Sequence, residues 1–166
     1  MNTATRSVDT PCGNIVISAV DAGICAVKFA HSLPSNNRAG TGTGTGYDPR
    51  FRHLEQCTEQ LQAYFSGALQ SFALELAPEG TDFQRTVWQA LSKIPYGETC
   101  SYGELALAIG RPTASRAVGA ANGQNPIAIV VPCHRVIGSN GTLTGYAGGL
   151  DIKRKLLELE SGQLSL

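Results

Sequence analysis

Cys133 and His134 stand side by side in a chain of 166 residues, inside the string Pro132-Cys133-His134-Arg135-Val136-Ile137-Gly138-Ser139-Asn140-Gly141. A thiol attacks carbon well only as thiolate, so it needs a proton acceptor nearby, and an imidazole suits that task near neutral pH. The other histidines, His31 and His53, lie far back in the chain. A carboxylate that orients the imidazole would complete a nucleophile–base–orienter set. The last predicted helix runs from about Asp151 to Glu160, with Ile152, Leu156 and Leu159 on its apolar face. At about 100° per residue Glu160 projects between Leu156 and Leu157, whereas Glu158 points away. An inward carboxylate needs a partner or takes up a proton, and His134 is the natural partner. The competing reading is structural: a cysteine beside a strand usually serves as a small buried apolar residue.

The elements around these residues follow from pattern. Ile127-Ala128-Ile129-Val130-Val131 has the length and β-branched content of a buried strand, which Pro132 ends. Upstream, Asp82 is the predicted N-cap of a helix through Leu91, with Phe83, Val87, Ala90 and Leu91 on one face. Ser101 caps a short helix to Ile109, which Gly110-Arg111-Pro112 stops. A further helix starts at Pro112 or Thr113 and runs to about Ala121. Two short helices joined by a tight turn suggest a helix-turn-helix of winged-helix type. In the second of them Ala114, Ala117, Val118 and Ala121 are expected inside. Arg116, Gly119 and Ala120 then form a smooth outer face, fit either for tight helix packing or for lying along DNA. Tyr102 shares a helix face with Leu105, Ala106 and Ile109, so by pattern it reads as a core aromatic.

The first half is simpler. Thr10-Pro11-Cys12-Gly13 reads as a turn, Asn14 to Val20 and Ile24 to Phe29 as a hairpin, and Phe72 to Leu76 as a further strand. Leu54, Cys57, Leu61 and Tyr64 recur at helical spacing, and Gly67 would end that helix. The Gly-Thr repeat at 40–46 has nothing to pack and is expected to be a flexible surface loop. The expected fold class is α/β (α+β): an N-terminal sheet-plus-helix domain over residues 1–78, then a winged-helix domain over 79–166 that carries the cysteine.

Bulk composition excludes several classes. No apolar run approaches a membrane span, and the polar first ten residues lack a signal-peptide core, so a cytoplasmic protein is expected. Five cysteines, an odd number without close pairs, argue against a disulfide framework. No CxxC or HExxH spacing appears, and no metal site is expected, although Cys12, Cys25 and His31 could converge. Net charge is zero, but residues 1–83 carry five Lys/Arg against eight Asp/Glu, and residues 84–166 carry eight against five. The reactive string lies in the basic half, which allows weak phosphate contact.

Pro-Cys-His-Arg-Val, preceded by Gly-Gln-Asn-Pro-Ile and followed by Gly-Tyr-Ala-Gly-Gly, resembles the O6-alkylguanine-DNA alkyltransferases, the suicide DNA-repair proteins. The resemblance is strongest from Phe83 to Glu160. It implies direct reversal of damage, with the alkyl group moving from guanine O6 to the protein's own cysteine once per molecule and without a cofactor. How far O4-alkylthymine is also used is left open. The implied catalytic residues are Cys133, His134, Glu160 and Tyr102, the last assigned to the pocket of the flipped nucleotide. The implied DNA-binding residues are Ala114, Ser115, Arg116, Gly119 and Ala120, with Arg116 filling the vacated space in the base stack. Asn125 corresponds to a hinge between the recognition helix and the cysteine segment. Arg135, Val136, Tyr146, Ala147 and Gly148 are implied pocket residues with it. Ala147 stands where the family often has Ser, so a hydroxyl contact to the substrate there would be lost while a backbone N–H contact would remain. The implied partner is alkylated double-stranded DNA, bound through the minor groove with little sequence specificity by a monomer.

Two rival readings use the same residues. A cysteine hydrolase built on Cys133, His134 and Glu160 would turn over repeatedly. A winged-helix binding module with an inert Cys133 would bind DNA and never become alkylated.

Overall fold

A computed structural model describes residues 2–35 and 47–162. The chain divides between Glu79 and Gly80 into two compact units. The Gly-Thr repeat lies outside the described residues.

The first unit is built on a three-stranded antiparallel sheet in the order β1 (Ala4–Thr10), β2 (Gly13–Val20), β3 (Gly23–Phe29). Strand β1 escapes the sequence pattern because its residues are mostly polar and half-buried; backbone pairing from Ala4↔Ala19 to Thr10↔Gly13 holds it in place. Ile15, Ile17, Ala19, Ile24, Val27 and Phe29 are buried in the core of this unit. Helix α1 (Pro49–Phe65) packs on the sheet and supplies Leu54, Cys57, Leu61 and Tyr64, all fully buried. Asp48 caps it by accepting from the Arg50 N–H, with Pro49 in the first turn. The expected strand at Phe72–Leu76 is not formed. Only Leu76 makes a single parallel bridge to Ile24, with Ile24 donating to Glu75 O and Ala77 to Ile24 O. None of residues 72–76 is buried, so the short apolar run has neither a ladder nor a core face to hold it as a strand.

The second unit is mainly helical: α2 (Asp82–Leu91), α3 (Tyr102–Ala108), α4 (Ser115–Gly123) and α5 (Leu150–Ser161). Val87, Trp88, Leu91, Leu105, Val118 and Leu156 are among its buried residues, and Trp88 Nε1 donates to Ala121 O at 2.8 Å. The α2 N-cap is Thr81 rather than Asp82: the Thr81 hydroxyl accepts from Gln84 N, and Gln84 Oε1 accepts from Thr81 N. This reciprocal box satisfies two end donors at once, and Asp82 sits in the first turn instead. Ser101 and Glu104 form the same box at the start of α3. Helix α4 begins three residues later than the proline suggested and ends two residues beyond Ala121.

The largest departure from expectation lies at 127–131. Ile127, Ala128, Ile129 and Val131 are buried, yet they form turns rather than a strand. Val130 N donates to Ala128 O and Val131 N to Ile127 O. Ile129 adopts φ 70°, costly for a β-branched residue. The strand comes after the cysteine: β5 (Val136–Ile137) pairs in parallel with β4 (Cys100–Ser101).

Thr81→Ala should therefore cost about 1 kcal/mol of stability, whereas Asp82→Ala should cost only a few tenths. Urea unfolding of both variants separates them; equal losses would make Asp82 the true cap.

Candidate active site

Four segments of the second unit converge. The first is a single 3-10 turn, Cys133–Arg135, in which all three residues are buried. Asn125 shapes the chain leading into it: Oδ1 accepts from Ile127 N at 3.1 Å, and Nδ2 donates to Val131 O at 2.9 Å. One side chain thereby closes the buried turns that hold Ile129 in its strained conformation. The Asn125 amide also favours the thiolate form of Cys133.

Helix α5 supplies the second segment. Glu160, with a side chain 1% exposed, accepts from His134 Nε2 at 2.7 Å. It also accepts from Arg135 Nε at 2.9 Å and from the Arg135 terminal amine at 2.8 Å. The remaining Arg135 amine donates to Ile94 O at 2.7 Å, and the guanidinium stands 5.8 Å from the Tyr96 ring centre. Arg135, expected in the substrate pocket, thus spends its side chain on the carboxylate. A buried carboxylate is stable only if its charge is matched, and Arg135 supplies that match. Glu158, two residues earlier on α5, is not buried.

Protonation states follow. Burial pushes the Glu160 carboxyl up, but the hydrogen bonds from His134 and Arg135 outweigh it and bring the group down to about 2. Burial pushes the His134 imidazole down, against the pull of Glu160. The imidazole is therefore neutral and must carry its proton on Nε2, where the ionised carboxylate accepts it. That leaves Nδ1 as the acceptor, and Nδ1 has no hydrogen-bond partner among the described residues. Burial also pushes the Cys133 thiol up, opposed by Asn125 and by the charge of Lys153. The resting pair is a thiol beside a neutral imidazole, with a base nitrogen left to receive the proton. Cys57 shows the contrast: burial alone pushes it up to about 12, and nothing opposes the shift.

The third segment is the loop before α5. Gly148 in it is buried, Tyr146 is half-buried, and Ala147 is exposed. Lys153, on α5 and fully buried, donates to Val136 O at 2.6 Å and to Thr144 O at 2.7 Å. It went unnoticed in the sequence, although it stands seven residues before Glu160, on the same face of a helix. The fourth segment is the start of α3, where Tyr102 is half-buried and its hydroxyl lies 3.0 Å from Thr144 Oγ1. Its ring lies beside Gly119 while its hydroxyl reaches the Thr144 segment, so Tyr102 is not wholly enclosed in the core.

Helix α4 differs from its expected facing. Val118 and Ala121 are buried, but Ala117 is exposed together with Arg116 and Ala120, while Ala114 and Ser115 are half-buried. Gly119 turns toward Tyr102 rather than outward: a Cβ there would stand 3.6 Å from the tyrosine ring. Among the described residues, no group of three or more His, Cys, Asp and Glu could hold a metal ion. No helix among them is long and apolar enough to cross a membrane.

The Glu160 and His134 shifts set the acid response. Glu160 is depressed on folding, so its stabilisation is present above the unfolded value near 4.5 and is lost as pH falls toward about 2. His134 is also depressed, so its neutral buried form favours folding only until pH falls below about 6.5, where the unfolded imidazole gains a proton. Urea midpoints should therefore fall from pH 6.5 downward and fall further below 4.5. Glu160→Gln should flatten the lower window; an unchanged slope there would place the acid sensitivity elsewhere.

Comparison with known proteins agrees with this architecture. The family described as 6-O-methylguanine DNA methyltransferase, ribonuclease-like domain, matches residues 5–78, and its DNA binding domain matches residues 82–162. A methylated-DNA–protein-cysteine methyltransferase of Methanosarcina barkeri is 51% identical over 95% of this chain and 96% of its own. The crystal structure of the Mycobacterium tuberculosis O6-methylguanine methyltransferase superposes with a TM-score of 0.85 at 45% identity, covering 98% of this chain and 95% of that one. The same organism's protein in complex with DNA gives 0.80 at 46% identity, covering 96% and 94%. With both domain families matched in order, and half of all residues identical to a full-length relative, the chain belongs to the O6-methylguanine-DNA methyltransferase family.

Proposed function

We propose that this protein repairs DNA by direct reversal, transferring the alkyl group from guanine O6 irreversibly to its own Cys133, once per molecule. The observation that supports this most strongly is the His134–Glu160 pair. Glu160 fixes the imidazole tautomer, so the nitrogen left as acceptor belongs to the residue next to the thiol.

The alkyl carbon is out of reach inside a duplex, so the nucleotide is extruded first, at a cost of about a few kcal/mol. Exposed Arg116 on α4 takes the vacated place, and the small residues Ala117 and Ala120 beside it let the helix approach the minor groove closely. Residues 79–166 carry this interface and the chemistry, while 1–78 form a separate domain. Binding is by a monomer, tolerant of sequence, and takes place in the cytoplasm.

The Cys133 proton then passes through a water to His134 Nδ1, which has no direct hydrogen-bond partner among the described residues. The sulfur–carbon bond forms as the carbon–O6 bond breaks, and guanine leaves with the bonding pair. Tyr102 donates a proton to the departing base, and the proton held by His134 restores the balance through solvent. The pocket is closed by Tyr146, Ala147 and Gly148, and the Val136 carbonyl, which already accepts from Lys153 Nζ, offers its second lone pair to the guanine amino group. The thioether product has no acyl carbon for water to attack, so no second cycle follows. No cofactor enters any of these steps.

Incubation with a duplex containing O6-methylguanine should add one methyl mass, on Cys133, and Cys133→Ser should abolish the gain while retaining DNA binding. Intact-protein mass spectrometry with peptide mapping reads this directly. Continuous turnover would favour a hydrolase, and DNA binding without mass gain would favour a binding module.

Arg116→Ala should slow repair of duplex strongly and leave reaction with free O6-benzylguanine nearly unchanged, because nothing has to be extruded there. Placing the lesion opposite an abasic site should partly rescue the variant. A phosphate contact alone would instead lower the salt dependence of binding by roughly one counterion. An equal loss on free base and duplex would place Arg116 in the fold rather than in extrusion.

A further inference from the structure

The buried charges around Cys133 do not balance. Arg135 and Glu160 cancel one another in a direct ion pair. His134 is neutral while its proton faces Glu160. Lys153 remains: its side chain is buried, its ammonium contacts two carbonyl oxygens, and among the described residues it forms no ion pair. Helix α2 also packs on the cysteine turn, but its buried residues are Val87, Trp88 and Leu91, and its Asp82 and Arg85 pair with each other at the surface. Cys100 on β4, whose thiol is pushed up by burial, pairs with Val136 through the backbone, and Tyr102 on α3 reaches Thr144. The cluster thus holds one positive charge with no fixed counter-ion, an arrangement that is costly unless something nearby ionises to match it.

We infer that Lys153 is a positioning residue of the Cys133 nucleophile: its buried ammonium stabilises the sulfur as thiolate and ties the cysteine turn to the Thr144 segment. The two functions share one atom. Val136, whose carbonyl accepts from Nζ, is the third residue after Cys133, and Thr144, whose carbonyl accepts the second bond, holds the Tyr102 hydroxyl through its side chain. One ammonium therefore fixes the segment of the nucleophile and the segment that orients Tyr102. The electrostatics agree in direction: burial pushes the Lys153 ammonium down and the Cys133 thiol up, and each group opposes the other's shift. The cost of burying a lysine without a carboxylate is offset when the sulfur loses its proton.

The inference rests on the proposed role of Cys133 as nucleophile, but its test needs no DNA. Rates of Cys133 alkylation by iodoacetamide are measured against pH by intact mass and peptide mapping. Lys153→Gln keeps a donor for the carbonyls and removes the charge; Lys153→Arg keeps the charge. The Gln variant should show its alkylation profile moved to higher pH by about one unit, hence about tenfold slower reaction at neutral pH, and the Arg variant should restore most of the difference. Single-turnover transfer from methylated duplex should slow in parallel. Superimposable profiles for Gln and parent would overturn the inference, even if transfer slowed, because a merely structural lysine would not move the thiol. A displaced profile in a protein whose parent takes no methyl from DNA would uphold Lys153 and sink the repair function. Should the Gln variant fail to fold, the parent still decides: the ¹³Cε resonance of Lys153 should inflect at the Cys133 titration midpoint, and Cys133→Ser should remove that inflection. A featureless titration would overturn the coupling.

Discussion

Everything at the site depends on one buried carboxylate. Glu160 lies near the end of α5, almost wholly out of water, and an ionised group there survives only with full compensation. Arg135 neutralises its charge and His134 shares the remaining oxygen capacity. Because Arg135 and His134 occupy consecutive positions after Cys133, satisfying Glu160 fixes the conformation of the cysteine turn. The same contact determines which imidazole nitrogen holds the proton. Stability and chemistry therefore draw on the same three side chains, and α5 must be docked before the thiol acquires its base.

The arrangement also explains why the sulfur rests protonated. A free thiolate in this setting would be open to oxidation and to adventitious electrophiles. Burial suppresses it, while Asn125 and Lys153 keep ionisation within reach. Cys57, pushed up to about 12, has burial alone. The difference between an inert and a poised thiol is thus carried by polar neighbours rather than by depth.

Much of this was legible in the chain itself. Helical angle was enough to separate inward Glu160 from Glu158, because a regular helix makes spacing a direct measure of direction. Capping chemistry placed the start of α3 at Ser101, and helical spacing identified the buried stripe of α1. Failures occurred where two structures share one signature. Ile127–Val131 has the composition of a strand, yet what it encodes is burial; the Asn125 side chain, which no periodicity records, bends it into turns. Strand β1 was invisible because it is held by backbone pairing rather than by an apolar face. Arg135 and Lys153 were overlooked as parts of the charge network because long cations are usually solvated, and only a three-dimensional count of charge shows that both are inside.

The two-residue ladder between β4 and β5 bears on how such a site can change without failing. Cys100 pairs with Val136 and Ser101 with Ile137, and Ser101 also caps the helix that opens with Tyr102. The segment following the thiol and the first turn of α3 are consequently parts of one rigid jaw, whose register cannot slip without breaking backbone bonds. The segment from Thr144 to Gly148 is a second jaw of a different kind: it lacks a ladder and is attached to the first through side chains, the Lys153 ammonium and the Tyr102 hydroxyl. Like a vice with one fixed and one adjustable face, this construction lets substitutions in the second jaw retune the width of the opening while the spacing between the segment of Cys133 and the start of α3 is preserved.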